Sequence, residues 1–189
     1  GTYDRETAYA ILDEAFVCHV GFTYENAPFV IPTGFARVAD QLYIHGSAAS
    51  RMLKAMQDDI DVCITVTILD GLVLARSAFN HSMNYRSVVI LGKAHFVNDP
   101  QTKLQSLKAF SEHIIPGRWE EVRPVKKEEI DVTTVLAIPL EEASTKVRVG
   151  PPVDDEEDLS WPCWAGQLPL ILTALPPIAD PQLPDNIHV

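Results

Sequence analysis

The sequence has 189 residues, 47% of them hydrophobic, and a formal net charge of −11. This length and composition suit one domain with a sizeable core. Nucleic-acid binding is excluded, because an acidic chain in which Lys and Arg form no run lacks the necessary basic surface.

The first predicted element is an amphipathic helix over residues 7–16, with apolar residues at helical spacing. Two strands follow, over 17–22 and 29–38, separated by a polar turn of hairpin length. A third strand over 42–45 leads through a Gly-Ser turn into a short helix that ends near residue 56. The order of elements in this part is therefore helix, three strands and helix.

The segment 61–69 is rich in Val, Ile and Thr, which predicts a buried strand. Asp70-Gly71 indicates either a turn or a bulge. Further strands are predicted over 72–78, 85–97, 132–140 and 145–149. Residues 100–115 form the clearest helix, which begins at a proline and places Leu104, Leu107 and Phe110 around one face.

The composition changes after Gly150, where an acidic run is followed by many prolines. We expect a split-barrel domain over 1–150 and a Pro-rich arm over 151–189 that packs on the barrel or on a partner subunit, because the arm is too apolar for a free tail. The predicted fold class is α+β, mostly β: an antiparallel split β-barrel of six to seven strands with helical caps.

Motifs typical of nucleotide-binding, P-loop, zinc-protease, disulfide-exchange and serine-hydrolase sites are absent from the sequence. The segment YIHGSAASRMLK over 43–54 contains a strand, a Gly-Ser turn and a helix start. Free N–H groups, the hydroxyls of Ser47 and Ser50, and the guanidinium of Arg51 could bind a phosphate there. The alternative is an ordinary capped helix with a solvated Arg51.

Four motifs together resemble the FMN-binding split-barrel family related to pyridoxamine 5′-phosphate oxidase, in the branch similar to the nitroimidazole-resistance reductases. They are GTYDR at 1–5, FVIPT at 29–33, the turn at 43–51 and SAFNHSMNYRSV at 77–88. True pyridoxamine phosphate oxidases carry an Arg and a Lys in the second strand and a C-terminal Arg-x-His element. This sequence lacks both features, so we do not expect oxidation of vitamin B6.

The resemblance implies an FMN cofactor held between the two subunits of a homodimer. Ser50 and Arg51 would hold the phosphate, and His45 would be a catalytic residue near the flavin. The implied cofactor-binding residues are Val30, Ile31, Pro32, Thr33, His45, Gly46, Ser47, Ser50, Arg51, Asn84, Tyr85, Arg86 and Trp164. His45 could instead be a strand-end histidine, and Trp164 could simply anchor the arm. No metal site is predicted, because the histidines lack paired ligand spacing.

The implied function is an FMN-dependent oxidoreductase that passes electrons from a reduced nicotinamide cofactor to a small acceptor. Three alternatives remain open: a non-catalytic flavin carrier or sensor, a haem-binding split barrel, and deazaflavin in place of the flavin. Three cysteines, an odd number, predict free and mostly buried thiols in a reducing compartment. Without a recognisable signal peptide or long apolar segment, we expect a soluble cytoplasmic protein.

Overall fold

The computed structural model describes residues 3–47, 50–56, 60–184 and 187, without the side chains of Arg51 and Lys54. Helices α1 to α5 span Arg5–Glu14, Arg51–Met56, Pro100–Ile114, Arg118–Glu121 and Lys127–Val132. Strands β1 to β10 span Val17–Tyr24, Ala27–Gly34, Ala36–Val38, Gln41–Ser47, Asp61–Leu74, Ser82–Lys93, His95–Phe96, Thr133–Pro139, Glu142–Arg148 and Gly166–Pro169. Single turns of 3₁₀-helix lie at Ala78–Asn80 and Glu156–Asp158.

The strands form two antiparallel sheets. The six-stranded sheet has the order β2-β1-β5-β6-β9, with β10 paired to β5, and the four-stranded sheet has the order β3-β4-β8-β7. Two predicted strands are each divided where the chain passes between the sheets: 29–38 becomes β2 and β3 around buried Phe35, and 85–97 becomes β6 and β7 around buried Ala94. The prediction of a mostly β, antiparallel split barrel is confirmed.

The core lies between the sheets, because alternate residues of each strand point inward. In β5, Val62, Ile64 and Val66 are buried, while the intervening residues are exposed or half-buried. The same alternation holds in β1, and in β6 the buried residues are Asn84, Val88 and Ile90. Every second residue of the six-stranded sheet therefore lies on a face directed away from this core.

Asp70-Gly71 is a bulge within one long strand, which settles the question left open by the sequence. The register of β5 against β6 shifts between Leu69 and Gly71. An added Cβ at Gly71 would lie 2.9 Å from the carbonyl oxygen of Leu168, so glycine allows β10 to approach β5 here. The predicted strands 61–69 and 72–78 are thus one element.

Helix α1 begins two residues earlier than predicted, because Asp4 accepts a hydrogen bond from the Thr7 N–H and caps it. The prediction for α3 is right in extent and partly right in its face. Leu107 and Phe110 are half-buried on the same side as buried Lys103 and Ser106, whereas Leu104 is exposed. Lys103 is tolerated inside because its ammonium donates to the Thr133 carbonyl at 2.9 Å.

The three cysteines are free, as predicted, but only Cys18 is buried. Burial raises the pKa of the Cys18 thiol to about 12. Cys63 and Cys163 are exposed, so the expectation of mostly buried thiols is wrong. Cys63 lies in an apolar run, but strand alternation places it on the side of β5 opposite to the core. No helix in the described residues is long and apolar enough to cross a membrane.

Candidate cofactor site

The predicted phosphate-binding segment forms the connection between β4 and α2. The Ser50 N–H donates to the Ser47 carbonyl at 2.8 Å, which closes a tight turn. A Cβ at Gly46 would lie 3.0 Å from Leu53, so a small residue fits where the strand ends beside the helix. Met52, Leu53, Ala55 and Met56 are buried and anchor α2. Ala48, Ala49 and the side chain of Arg51 lie outside the described residues, so the phosphate contact stays a prediction.

Strand β2 is the edge of the six-stranded sheet and pairs with β1. Val30 and Ile31 are 65% and 37% exposed, Pro32 is also exposed, and Thr33 is half-buried. An edge strand presents backbone N–H and C=O groups that its sheet does not use. The four residues predicted to lie beside the flavin ring therefore share one accessible strand with free hydrogen-bonding capacity on its outer side.

The structure brings His45 close to the end of that strand through Phe110 on α3. The imidazole meets the Phe110 ring edge-on, with centroids 4.4 Å apart. The same Phe110 ring covers Gly34, where an added Cβ would lie 2.8 Å from a ring carbon. Gly34 follows directly on Thr33 at the end of β2. The ring of Phe110 therefore contacts both His45 and the end of β2.

His45 is half-buried, and burial lowers the pKa of its imidazole, so the ring is neutral at pH 7. Within the described part of the chain, neither ring nitrogen makes a hydrogen bond. A neutral imidazole with an available nitrogen can accept a proton or bind a metal ion. These properties separate His45 from His19, His81 and His95, which are exposed.

A second histidine, His113, was not singled out from the sequence. Its Nε2 lies 2.7 Å from the Ala15 carbonyl oxygen, and its ring packs against Phe16 and Phe35 with centroids 5.7 and 5.6 Å apart. His113 and Phe110 are three residues apart on α3 and hence share one helix face. That spacing is the sequence signal that could have connected His113 to the same aromatic cluster as His45.

Arg86, predicted to reach the flavin, is bound by two carboxylates of its own chain. Its guanidinium donates to Asp70 at 2.7 and 2.9 Å and to Glu14, the last residue of α1, at 2.8 Å. These hydrogen bonds lower the pKa of both carboxyls. In this arrangement Arg86 joins α1 to the bulge of β5, and the cofactor role predicted for it has no direct support.

Asn84 contacts the C-terminal arm, and Trp164 is part of the arm. Buried Asn84 donates from Nδ2 to Gln167 Oε1 at 2.7 Å, and its Oδ1 accepts from Arg148. Trp164 is exposed, and its ring covers Gly166, where an added Cβ would lie 2.8 Å away. Tyr85 is half-buried, with the Lys146 ammonium 5.8 Å from its ring centroid. The cofactor roles of these residues stay predictions.

Among the described residues, no group of three or more His, Cys, Asp or Glu side chains could hold a metal ion. A histidine that binds the iron of a haem needs no such group, because the porphyrin supplies four of the ligands. Of the histidines in the described residues, His45 combines partial burial with unengaged ring nitrogens.

Comparisons with known proteins identify the family and structures of the same fold. A family model described as pyridoxamine 5′-phosphate oxidase matches residues 4–147. The flavocytochrome Anf3 from Azotobacter vinelandii is 47% identical with a TM-score of 0.93, over all of this chain and 87% of its own. The FAD and heme binding protein from Mycobacterium smegmatis is 33% identical with a TM-score of 0.95, over all of this chain and 92% of its own.

A candidate 5-nitroimidazole antibiotic resistance protein from Bacteroides thetaiotaomicron is 24% identical with a TM-score of 0.63, over 75% of this chain and 82% of its own. That similarity is one of fold. No match is found among the curated proteins. The family model ends before the arm, at residue 147, whereas the flavocytochrome and the FAD and heme binding protein match the chain with the arm included.

Proposed function

The chain belongs to the pyridoxamine 5′-phosphate oxidase family, and we propose that within this family it is a redox protein that binds both a flavin and a haem. The observation that carries the proposal is the extent of the similarity. Two proteins whose names include a flavin and a haem match this chain from end to end, including the arm that the family model does not cover.

The residues present fit a flavin. β2 offers an exposed edge strand with available backbone groups, which suits the polar rim of an isoalloxazine ring. The hydroxyl groups of Ser47 and Ser50 would contact a phosphate, and Arg51 follows at the start of α2. A bound flavin would supply hydride or electron transfer, and these residues would bind and orient it.

The sequence predicts FMN, whereas the name of the mycobacterial relative favours FAD. Both nucleotides share the isoalloxazine ring and its first phosphate, so β2 and the β4 to α2 turn would serve either. We propose FAD as the natural form, because that relative matches the whole chain. The mass of the flavin released by denaturation decides between the two.

His45 is the residue that would hold the iron of a haem. Its imidazole is neutral because burial lowers its pKa, and its position is fixed by the edge-on contact with Phe110. Neutral imidazole is the form that binds haem iron. This role replaces the catalytic role predicted for His45 as our leading interpretation, and both use the same unengaged nitrogen.

Loading experiments on the purified protein test the two cofactor roles separately. We expect His45→Ala to lose the haem absorbance and to retain the flavin, because the flavin contacts lie on β2 and on the β4 to α2 turn. His19→Ala, at an exposed histidine, is the matched control and should retain both cofactors. Full haem binding by His45→Ala would overturn the ligand assignment, and loss of both cofactors from His19→Ala would show that the assay reports on folding alone.

The electron donor and acceptor predicted from the sequence remain part of the proposal. Electrons would pass from a reduced nicotinamide cofactor to a small acceptor, and stopped-flow mixing of the oxidised protein with the nicotinamide cofactor checks the first step. Saturable reduction supports an oxidoreductase. Absence of reduction supports the carrier or sensor alternative. We also propose the predicted homodimer.

A further inference from the structure

The C-terminal arm carries apolar side chains that its own chain does not cover. Ile171, Leu172, Leu175 and Ile178 are between 80% and 97% exposed. Among the described residues, the last backbone hydrogen bond from the arm to the body runs from the Leu170 N–H to the Asp70 carbonyl, at 3.0 Å. Among the described residues, the backbone hydrogen bonds beyond Leu170 lie within the arm itself. In an isolated chain, ordering this segment would cost conformational entropy without burying its apolar side chains.

The arm nevertheless follows the same path in other proteins. The two relatives that match the whole chain have TM-scores above 0.9, although residues 151–189 make up about a fifth of the sequence. Scores of that size require the arm to superimpose together with the barrel. The arm is largely exposed within its own chain, yet it follows the same path in these relatives. We infer that contacts with another molecule hold it there.

The chain has a second uncovered apolar surface, which we call the outward face: Val30, Leu69, Met83, Leu91 and Leu168 on the side of the six-stranded sheet opposite to the core. These side chains are between 42% and 65% exposed. Strand pairing places them in one layer, because Val30 pairs with Gly21, Gly21 with Cys63, and Cys63 with Leu91. Leu168 of β10 lies in the same layer, because it pairs with Leu72 of β5, which in turn pairs with Met83 of β6.

The arm and the outward face are continuous, because the arm leaves the sheet directly after β10. With about 80 Å² for each of the four exposed aliphatic side chains at 171, 172, 175 and 178 and about 150 Å² for each of Trp161 and Trp164, the arm offers roughly 600 Å² of apolar surface. One partner of a standard stable interface contributes about 800 Å². Residues 170–178 contain no charged side chain, so docking of this segment removes none of its own charges from water.

We propose that the arm of one copy packs on the outward face of a second copy, giving a two-fold dimer with exchanged arms. A two-fold axis makes the contact reciprocal, so the arm of each copy packs on the outward face of the other. Val30 belongs both to the outward face and to the strand proposed for the flavin. The arm of the partner would therefore form one wall of the flavin site, a consequence that rests on the proposed function.

The mass of the full-length protein in solution, measured by light scattering after gel filtration, tests the exchange. We expect a dimer for the natural sequence and a twofold lower mass, that of one 20.9 kDa chain, for the double variant Ile171→Asp with Ile178→Asp. Leu91→Asp on the outward face should have the same effect. Ile115→Asp, an exposed apolar residue just after α3, is the matched control and should remain a dimer. Circular dichroism checks that each variant is folded.

Cross-linking identifies the contact itself. With Cys163→Ser removing the other exposed thiol, Ile178→Cys and the exposed Cys63 of a second copy should be joined by a short bis-maleimide, giving a band of twice the mass on a denaturing gel. Cys63→Ser should abolish this band. A monomeric natural sequence, a double arm variant that stays dimeric, or a cross-link confined to one chain would overturn the proposal.

These masses do not depend on the cofactors, so the two proposals can fail separately. A dimer with exchanged arms that binds neither flavin nor haem would contradict only the proposed function. A monomer that binds both cofactors would contradict only the arm exchange.

Discussion

Replacement of Arg86 by Gln tests whether this residue is a structural link or a cofactor ligand. Its side chain is 29% exposed and hydrogen-bonded to Asp70 and Glu14, which are 30% and 53% exposed. Hydrogen bonds to charged groups contribute about 1.5–3 kcal/mol each when buried, and exposure reduces this considerably. We expect Arg86→Gln to lower the free energy of unfolding by about 2–3 kcal/mol at pH 7, or the melting temperature by roughly 5–10 °C.

The pH dependence of this loss gives a second check. Arg86 lowers the folded pKa of both Glu14 and Asp70 below their unfolded values of about 4. The stabilisation is therefore complete above that pH and disappears as the pH falls through the folded pKa values and the carboxylates become protonated. The difference between Arg86→Gln and the natural sequence should accordingly shrink below about pH 4.

Arg118→Gln is the matched control, because Arg118 pairs with Glu121 at the surface, with both side chains more than half exposed. Its stability should change by no more than about 0.5 kcal/mol. Thermal unfolding of the cofactor-free protein followed by circular dichroism measures all three proteins. If Arg86→Gln melts like the natural sequence at pH 7 but loses flavin affinity, the structural role is wrong and the cofactor role is right.

Three further predictions concern the core and the arm. Gly34→Val should lower the free energy of unfolding by about 1–3 kcal/mol in urea, because its side chain would collide with the Phe110 ring 2.8 Å from the added Cβ. Lys103→Met should lower it by about 1–3 kcal/mol in the same assay, because the Thr133 carbonyl loses its 2.9 Å donor. Asp154→Asn should speed cleavage of the arm by a protease at pH 7, because Asp154 anchors the arm through a partly buried ion pair with Arg76.

The outcomes that contradict these predictions are equally specific. Unchanged urea midpoints for Gly34→Val and Lys103→Met would show that the neighbouring groups relax without cost. For Asp154, burial raises the carboxyl pKa, but the hydrogen bonds donated by Arg76 lower it by more, so the net shift is downward. The arm of the natural sequence should hence be held at neutral pH and released in acid. Equal cleavage of the natural sequence at pH 7 and pH 3 would contradict this anchor.

The strands were predictable from the sequence because their residues alternate about a core, and alternation is a local property. The same local property could not show where 29–38 and 85–97 divide between the two sheets, since that depends on which strands become neighbours. The burial of Cys63 was predicted wrongly for a related reason. An apolar run was taken as buried, whereas the pairing of β5 directs every second residue away from the core.

The candidate site shows the same limit. The turn at Ser47 to Ser50 and the strand from Val30 to Thr33 could be identified locally or by resemblance. The partners of Arg86 lie 16 and 72 residues away along the chain, at Asp70 and Glu14. No periodicity indicates such contacts, so the guanidinium was assigned to the cofactor. Strand β10 was missed likewise, because four residues ending in a proline become a strand only through their pairing with β5.

The absorbance spectrum of the purified full-length protein tests the central claim most directly. We predict a Soret band together with the paired blue bands of an oxidised flavin, and release of one flavin and one haem per chain on denaturation. Flavin bands without a Soret band, after haem has been supplied during expression, would contradict haem binding. A colourless protein that takes up neither cofactor at micromolar concentration would contradict the whole proposed function.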